Sequence, residues 1–337
     1  MNDYSEEIKF AISNNIFNSD EIFDYTSTPN ETIFQMYYDF CRENLNIQSS
    51  KLSINPNCFI FYNNTSVNAR AARKSDNYII AINSGLIIWC VENIAKNENL
   101  NKYLEKHYLE LIEFFDNDIS ILSMQIATNF TYYHECAHLI QFSKTNKEIT
   151  LQEREENTVQ TNLKTNHLLE INADSYASLA IASHILQYLD KSFGKDISKE
   201  KAISSLKIFS ACLLSYITSF SSNNEEIYFE EKSHPHPFIR IFNIMLNILN
   251  YLNQSKYFKT LDMNINISEI FKNIIDFYIT LEKEKVFTTG FESTFNSAFL
   301  LQNKIVEYLS SLIEFNETNY FDALEKWNEV FIMQSRE

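Results

Sequence analysis

The sequence predicts an α+β protein that is predominantly helical, with a small β-sheet among its helices. Two observations carry this expectation. Long stretches without Gly or Pro repeat their apolar residues at spacings of three and four, the helical period. Two short runs between residues 56 and 90 are β-branched and aromatic instead, which is the strand pattern. The scarcity of breakers, three Gly and four Pro in 337 residues, agrees with helix. It carries little weight, because an AT-rich coding sequence gives the same bias. A chain of this length can bury a large core. It divides into an N-terminal helical segment (1–55), a core (56–255) and a helical C-terminal appendage (256–337).

Residues 5–48 read as two short helices, one of them including Thr32 to Glu43. Cys58-Phe59-Ile60-Phe61-Tyr62 and Tyr78-Ile79-Ile80-Ala81-Ile82 have strand length, with Ser75-Asp76-Asn77 as the turn before the second. Residues 91–115 are helical, with apolar residues on one side from Leu100 to Phe114. Ile119, Leu122, Ile126, Phe130, Tyr133 and Ala137 mark a long amphipathic helix, with Asp116 or Asp118 as its N-cap. Lys144 to Asn166 is polar and aperiodic, a loop over or beside the site. Helix resumes from His167 to about Leu189 and again from Asp196 to Phe220. Pro235 and Pro237 place His234 and His236 on a loop feeding the apolar helix Phe238 to Leu252. Ile265 to Met333 reads as three amphipathic helices without identifiable chemistry.

The chemistry sits near the end of the long helix, at His134-Glu135-Cys136-Ala137-His138. Positions i and i+4 share a helix face, so both imidazoles can reach one metal ion. Glu135 is offset around the helix, where it can hold a water rather than the metal. This is the H-E-x-x-H pattern of zinc peptidases. Cys136 points away from the histidine face and reads as packing. A catalytic zinc takes three protein ligands and leaves a fourth position open. Glu170, on the helix after His167, fits the third ligand. Asp174, four residues on, fits the carboxylate that orients a ligand histidine. Ala173, Ala177 and Ala180 let that helix pack closely. His167 is the rival third ligand, ranked second because choosing it leaves two buried carboxylates unpartnered.

H-E-x-x-H followed by Glu-x-x-x-Asp on a second helix resembles the gluzincin metallopeptidases, among them thermolysin and the HtpX and CAAX-prenyl protease group. Val67-Asn68-Ala69-Arg70-Ala71, followed by Tyr78 to Ile87, is similar to the latter group's Asn-Ala strand, turn and second strand. Ser233-His234-Pro235-His236-Pro237 with Arg240 resembles its His-Pro-Pro segment. The resemblance covers about residues 56–250. It implies a zincin-like core whose sheet-edge strand flanks the active-site helix, with substrate backbone laid along Asn68, Ala69, Arg70 and Ala71. It also implies that His234 stabilises the oxyanion, with Tyr228 or His236 in reserve, and that Arg240 supports the site or binds substrate. The turn between the strands lacks the family's glycines. That group is membrane-embedded, whereas this sequence has no apolar run long enough to span a bilayer. A soluble relative is therefore implied; a Lit-type phage-exclusion protease is a weaker resemblance.

A formal charge of −16 argues against nucleic acid or an anionic membrane as partner. The acidic N-terminus is no signal peptide. The cysteines at 41, 58, 90, 136 and 212 form no C-x-x-C pair, which suits a reducing compartment and a cytoplasmic location. The expectation is a cytoplasmic zinc endopeptidase holding one Zn2+ per chain through His134, His138 and Glu170. Glu135 would act as general base on a peptide or protein substrate. The alternatives are a catalytically silent, zinc-stabilised interaction module and a metal-free helical protein in which the motif is accidental. No oligomeric state follows from the sequence.

Overall fold

A computed structural model describes residues 3–116, 118–143, 163–220, 226–263 and 265–315. The elements are α1 (Tyr4–Ser13), α2 (Glu31–Leu52), β1 (Asn57–Tyr62), β2 (Ala69–Lys74), β3 (Asn77–Asn83) and α3 (Ser84–Cys90). There follow α4 (Glu98–His107), α5 (Leu109–Phe114), α6 (Ile119–Ser143), α7 (Leu163–Phe193) and α8 (Lys199–Thr218). The last are α9 (Pro237–Gln254), α10 (Lys256–Thr260), α11 (Ile267–Lys283), α12 (Phe291–Leu300) and α13 (Gln302–Phe315). The expectation of a mostly helical α+β protein with a small sheet is met. Most of the predicted loop from Lys144 to Asn166 lies outside the described residues, although α7 already begins at Leu163. Two compact units are built from discontinuous stretches. One takes the described residues of Met1–Ile88, Thr131–Tyr176 and Ser310–Glu337, the other those of Trp89–Phe130 and Ala177–Leu309.

The first unit carries the three-stranded sheet, in the order β1-β3-β2. β1 and β3 run parallel, and β2 pairs antiparallel with β3. Two residues, Ser75 and Asp76, turn β2 into β3, with Ser75 in the left-handed region at φ 54°. The predicted second strand stops at Asn83, and Ser84 opens α3. Gly85 is required there, because a Cβ would collide with the Thr65 carbonyl.

The outer edge of β1 is covered by the N-terminal residues. Glu7 accepts the Phe59 N–H at 3.0 Å, and the Tyr4 hydroxyl accepts that of Phe61 at 2.9 Å. The Phe61 carbonyl accepts from Phe23 N–H at 2.8 Å. An open strand edge is thereby satisfied by groups supplied from elsewhere in the chain. Glu7 is itself buried, and Arg42 Nε lies 3.3 Å from it. Arg42 also donates to Asn57 at 2.6 Å, so the charge pair is held by further polar groups, as burial demands. Tyr4, Tyr25, Phe34 and Phe61 fill the space beneath, with Phe34 edge-on to Phe61 at 4.9 Å. Each such ring contributes about 1.5–3 kcal/mol of burial.

α2 runs on to Leu52, well past the predicted Glu43, because Leu45, Gln48, Ser49 and Leu52 are buried on its inner face. Ser53, left-handed at φ 58°, ends it. Phe40 of α2 meets Tyr132 and Tyr133 at 5.8 and 6.1 Å, and Gln48 accepts from the Cys136 thiol. These contacts fix the H-E-x-x-H turns of α6 from behind. α6 is less amphipathic than its apolar period suggests: residues 126–140 are buried on every side.

The second unit is helical. Its α8 is buried without a break from Ile208 to Thr218, and Tyr278 of α11 bonds Thr289 at 2.9 Å. Pro237 starts α9, with His236 as the cap that accepts from Phe238 N–H. Three helices follow Ile265 within the described residues, and the rest of the stretch predicted to run to Met333 lies outside them. No described helix is long and apolar enough to cross a membrane.

All five cysteines are free and buried, and burial pushes the Cys136 and Cys212 thiols up to about 12. Thiols so placed are neutral and inert, so Cys136 packs as expected.

His184 on α7 is half-buried, and burial pushes its pKa down to about 4. In the unfolded chain it titrates near 6.5. The unfolded state therefore binds more protons between these values, and stability falls as pH drops from about 6.5 toward 4. The loss attributable to this group is at most about 3 kcal/mol. Urea midpoints across that range should fall more steeply for the wild type than for His184→Gln. Parallel curves would remove His184 as the cause.

Candidate metal centre

The chemistry lies in the first unit, where the C-terminal turns of α6 meet the start of α7. Near its end α6 presents His134 and His138 one turn apart on one face. Their rings stand edge to face, with centroids 4.7 Å apart and an interplanar angle of 88°. Both Nε2 atoms converge, 3.2 Å from each other. Glu170 of α7 completes the group: Oε2 lies 3.4 Å from His134 Nε2, and Oε1 lies 3.3 Å from His138 Nε2. One ligand atom from each residue lies within 4.8 Å of the others, and all three residues are buried. Among the described residues this is the group of His, Cys, Asp or Glu side chains with metal-ligand spacing. These three can hold a metal ion.

Asp174, fully buried one turn beyond Glu170, brings Oδ1 to 3.0 Å from His134 Nδ1. His138 is approached on its outer nitrogen by Gln141, with Oε1 at 2.8 Å from Nδ1. Gln141 in turn donates to the Leu169 carbonyl at 3.0 Å. Phe142 stacks nearly parallel to the His138 ring at 6.2 Å.

The electrostatics ask for positive charge at the centre. Burial alone would lower the His134 pKa, yet Asp174 and Glu170 raise it to about 10. Two carboxylates in a dry site thus hold a proton on the ring when no ion balances them. A metal ion bound there displaces that proton.

Compared with protein-family models, curated proteins and solved structures, the chain matches none.

Glu135 is on α6 and buried, 7 % exposed. His167, the rival ligand, is fully buried one turn before Glu170 but is not part of the three-residue group. Ala69, Arg70 and Ala71 open β2, the sheet-edge strand in the same unit, and Asn68 immediately precedes it. Asn83 N–H donates to the Asn68 carbonyl, so the antiparallel register turns the backbone groups of Ala69 and Ala71 away from β3. Ala71 is nonetheless fully buried, so that edge is covered at its middle. The Arg70 guanidinium carbon lies over the Tyr62 ring, 3.9 Å from its centroid.

His234 and Arg240 belong to the second unit. His234 is exposed, and Arg240 sits in the first turn of α9 with its guanidinium 5.9 Å from the Phe220 ring. His236, held in reserve, is fully buried as the α9 cap, with Tyr228 edge-on at 4.8 Å. Sequence reasoning missed Gln141. Its one signal was position, one turn past His138 on the same helix face.

Proposed function

We propose that this protein is a zinc endopeptidase of the gluzincin type, with a zincin-like core, acting on peptide or protein substrates. One observation carries the zinc assignment. Zinc bonds of roughly 2.0–2.1 Å at tetrahedral angles put neighbouring ligand atoms about 3.3 Å apart. The two Nε2 atoms are 3.2 Å apart, and each lies 3.3–3.4 Å from a different oxygen of Glu170, so one carboxylate faces both imidazoles and one atom from each residue falls within 4.8 Å of the others, inside the reach of bonds of about 2 Å to a shared ion. Two imidazoles and one carboxylate are also the donor set of catalytic rather than structural zinc, which is usually closed by four protein ligands.

A zinc held by His134, His138 and Glu170 would supply Lewis-acid polarisation and would lower the pKa of a bound water to about 7. The chain's own groups do the rest. His134 and His138 present Nε2 to the ion, and Asp174 steadies His134 from behind. Glu135, one residue past His134 and so about 100° around the helix, takes the proton of the attacking water. The same carboxylate returns that proton to the leaving amine. All of these residues lie in the first unit. Capture of substrate along Asn68 to Ala71 requires the cover over Ala71 to be displaced.

The deciding experiment compares newly formed protein N-termini in a proteome treated with wild type or with Glu135→Gln. Termini that appear only with the wild type support the endopeptidase. Identical profiles from two zinc-loaded proteins would leave a silent, zinc-stabilised module, and metal-free protein of both kinds would remove the site.

A further inference from the structure

The two ligand histidines are steadied differently, and the difference points to Gln141. His134 faces a carboxylate, whereas His138 faces an amide. An amide offers either an acceptor or a donor, and its orientation decides which. Here the orientation is set by the far end: Gln141 Nε2 donates to the Leu169 carbonyl, which can only accept. Oε1 is therefore the atom turned toward His138, and the ring nitrogen 2.8 Å away must be the one bearing hydrogen. In the Nδ1–H tautomer the His138 Nε2 lone pair faces His134 and Glu170.

The second bond matters as much. Leu169 immediately precedes Glu170, so one side chain grips a ligand on α6 and the backbone beside a ligand on α7. A slip of α7 along α6 would therefore stretch that grip as well as shift Glu170.

We propose that Gln141 is a positioning residue for the metal centre: it presets the Nδ1–H tautomer of His138 and holds Glu170 in register, so that the three ligands are assembled before the metal arrives. This rests on the zinc reading above. Outer partners of metal-bound histidines are typically worth 10- to 100-fold in metal affinity. Gln141 is half-buried at the end of α6, so its replacement leaves the core intact.

The test titrates the full chain with Zn2+ against a chromophoric chelator, for wild type, Gln141→Leu and Gln141→Glu. Gln141→Leu should bind zinc about 10- to 100-fold more weakly, with unchanged circular dichroism. Gln141→Glu keeps an acceptor toward His138 but loses the donor to Leu169, so it should fall between the two. Long-range 1H–15N spectra of the metal-free wild type should show His138 protonated at Nδ1, and this readout needs no variant to fold. An affinity of Gln141→Leu within twofold of wild type, or a wild-type His138 protonated at Nε2, overturns the role of Gln141 and leaves the zinc reading standing. A wild type that binds no zinc overturns both.

Discussion

Glu135→Gln is expected to keep one zinc per chain and to lose peptide hydrolysis by about 10²- to 10⁴-fold, the usual contribution of a positioned general base. The two halves of this prediction have separate causes. Glutamine has nearly the shape of glutamate, so the buried environment of residue 135 is preserved, and none of His134, His138 or Glu170 is touched. What is lost is a carboxylate able to accept a proton from water and give it up again. Metal analysis of the purified variant reads the first half. Cleavage of a peptide taken from the wild-type-specific termini reads the second. Full activity in a zinc-loaded Glu135→Gln protein would end the mechanism, because no other residue has been assigned the proton. Loss of both zinc and activity would instead place Glu135 among the structural supports of the site.

Much of the centre was legible because its logic is local. His134 and His138 are four apart on one helix, as are Glu170 and Asp174 on another, and helical geometry alone puts each pair on one face. Only their convergence had to be inferred. It was inferred from chemistry, since two buried acids need a cation and two buried imidazoles can share one. What stayed hidden depends on distant partners. Gln141 reads as an ordinary polar residue near a helix end, and its role appears only when Leu169 is seen opposite. Glu7 looks like a surface position of a short helix, yet it accepts the Phe59 N–H from a strand far along the chain. For the same reason α2 outran its predicted end, since Gln48 and Ser49 weaken its apolar period although both are buried. The parallel pairing of β1 with β3 is likewise invisible in two runs of similar composition.

Zinc should stabilise the wild type strongly and Glu170→Ala hardly at all. A ligand that binds only the folded state adds about 4 kcal/mol when its free concentration is a thousand times Kd. That corresponds to a rise in melting temperature on the order of 10 °C. Without zinc the two proteins should melt close together. Glu170→Ala removes a buried carboxylate that has no metal to neutralise it, while Asp174 still faces His134 at 3.0 Å. The contrast is therefore one of response rather than of baseline, and it separates ligand loss from misfolding. Melting curves with added Zn2+ and with chelator, for both proteins, measure it directly. An equal zinc response in Glu170→Ala, with metal still at one per chain, would transfer the third ligand to His167. That residue is buried one turn earlier on the same helix, and such a result would require α7 to bring it toward the two α6 rings.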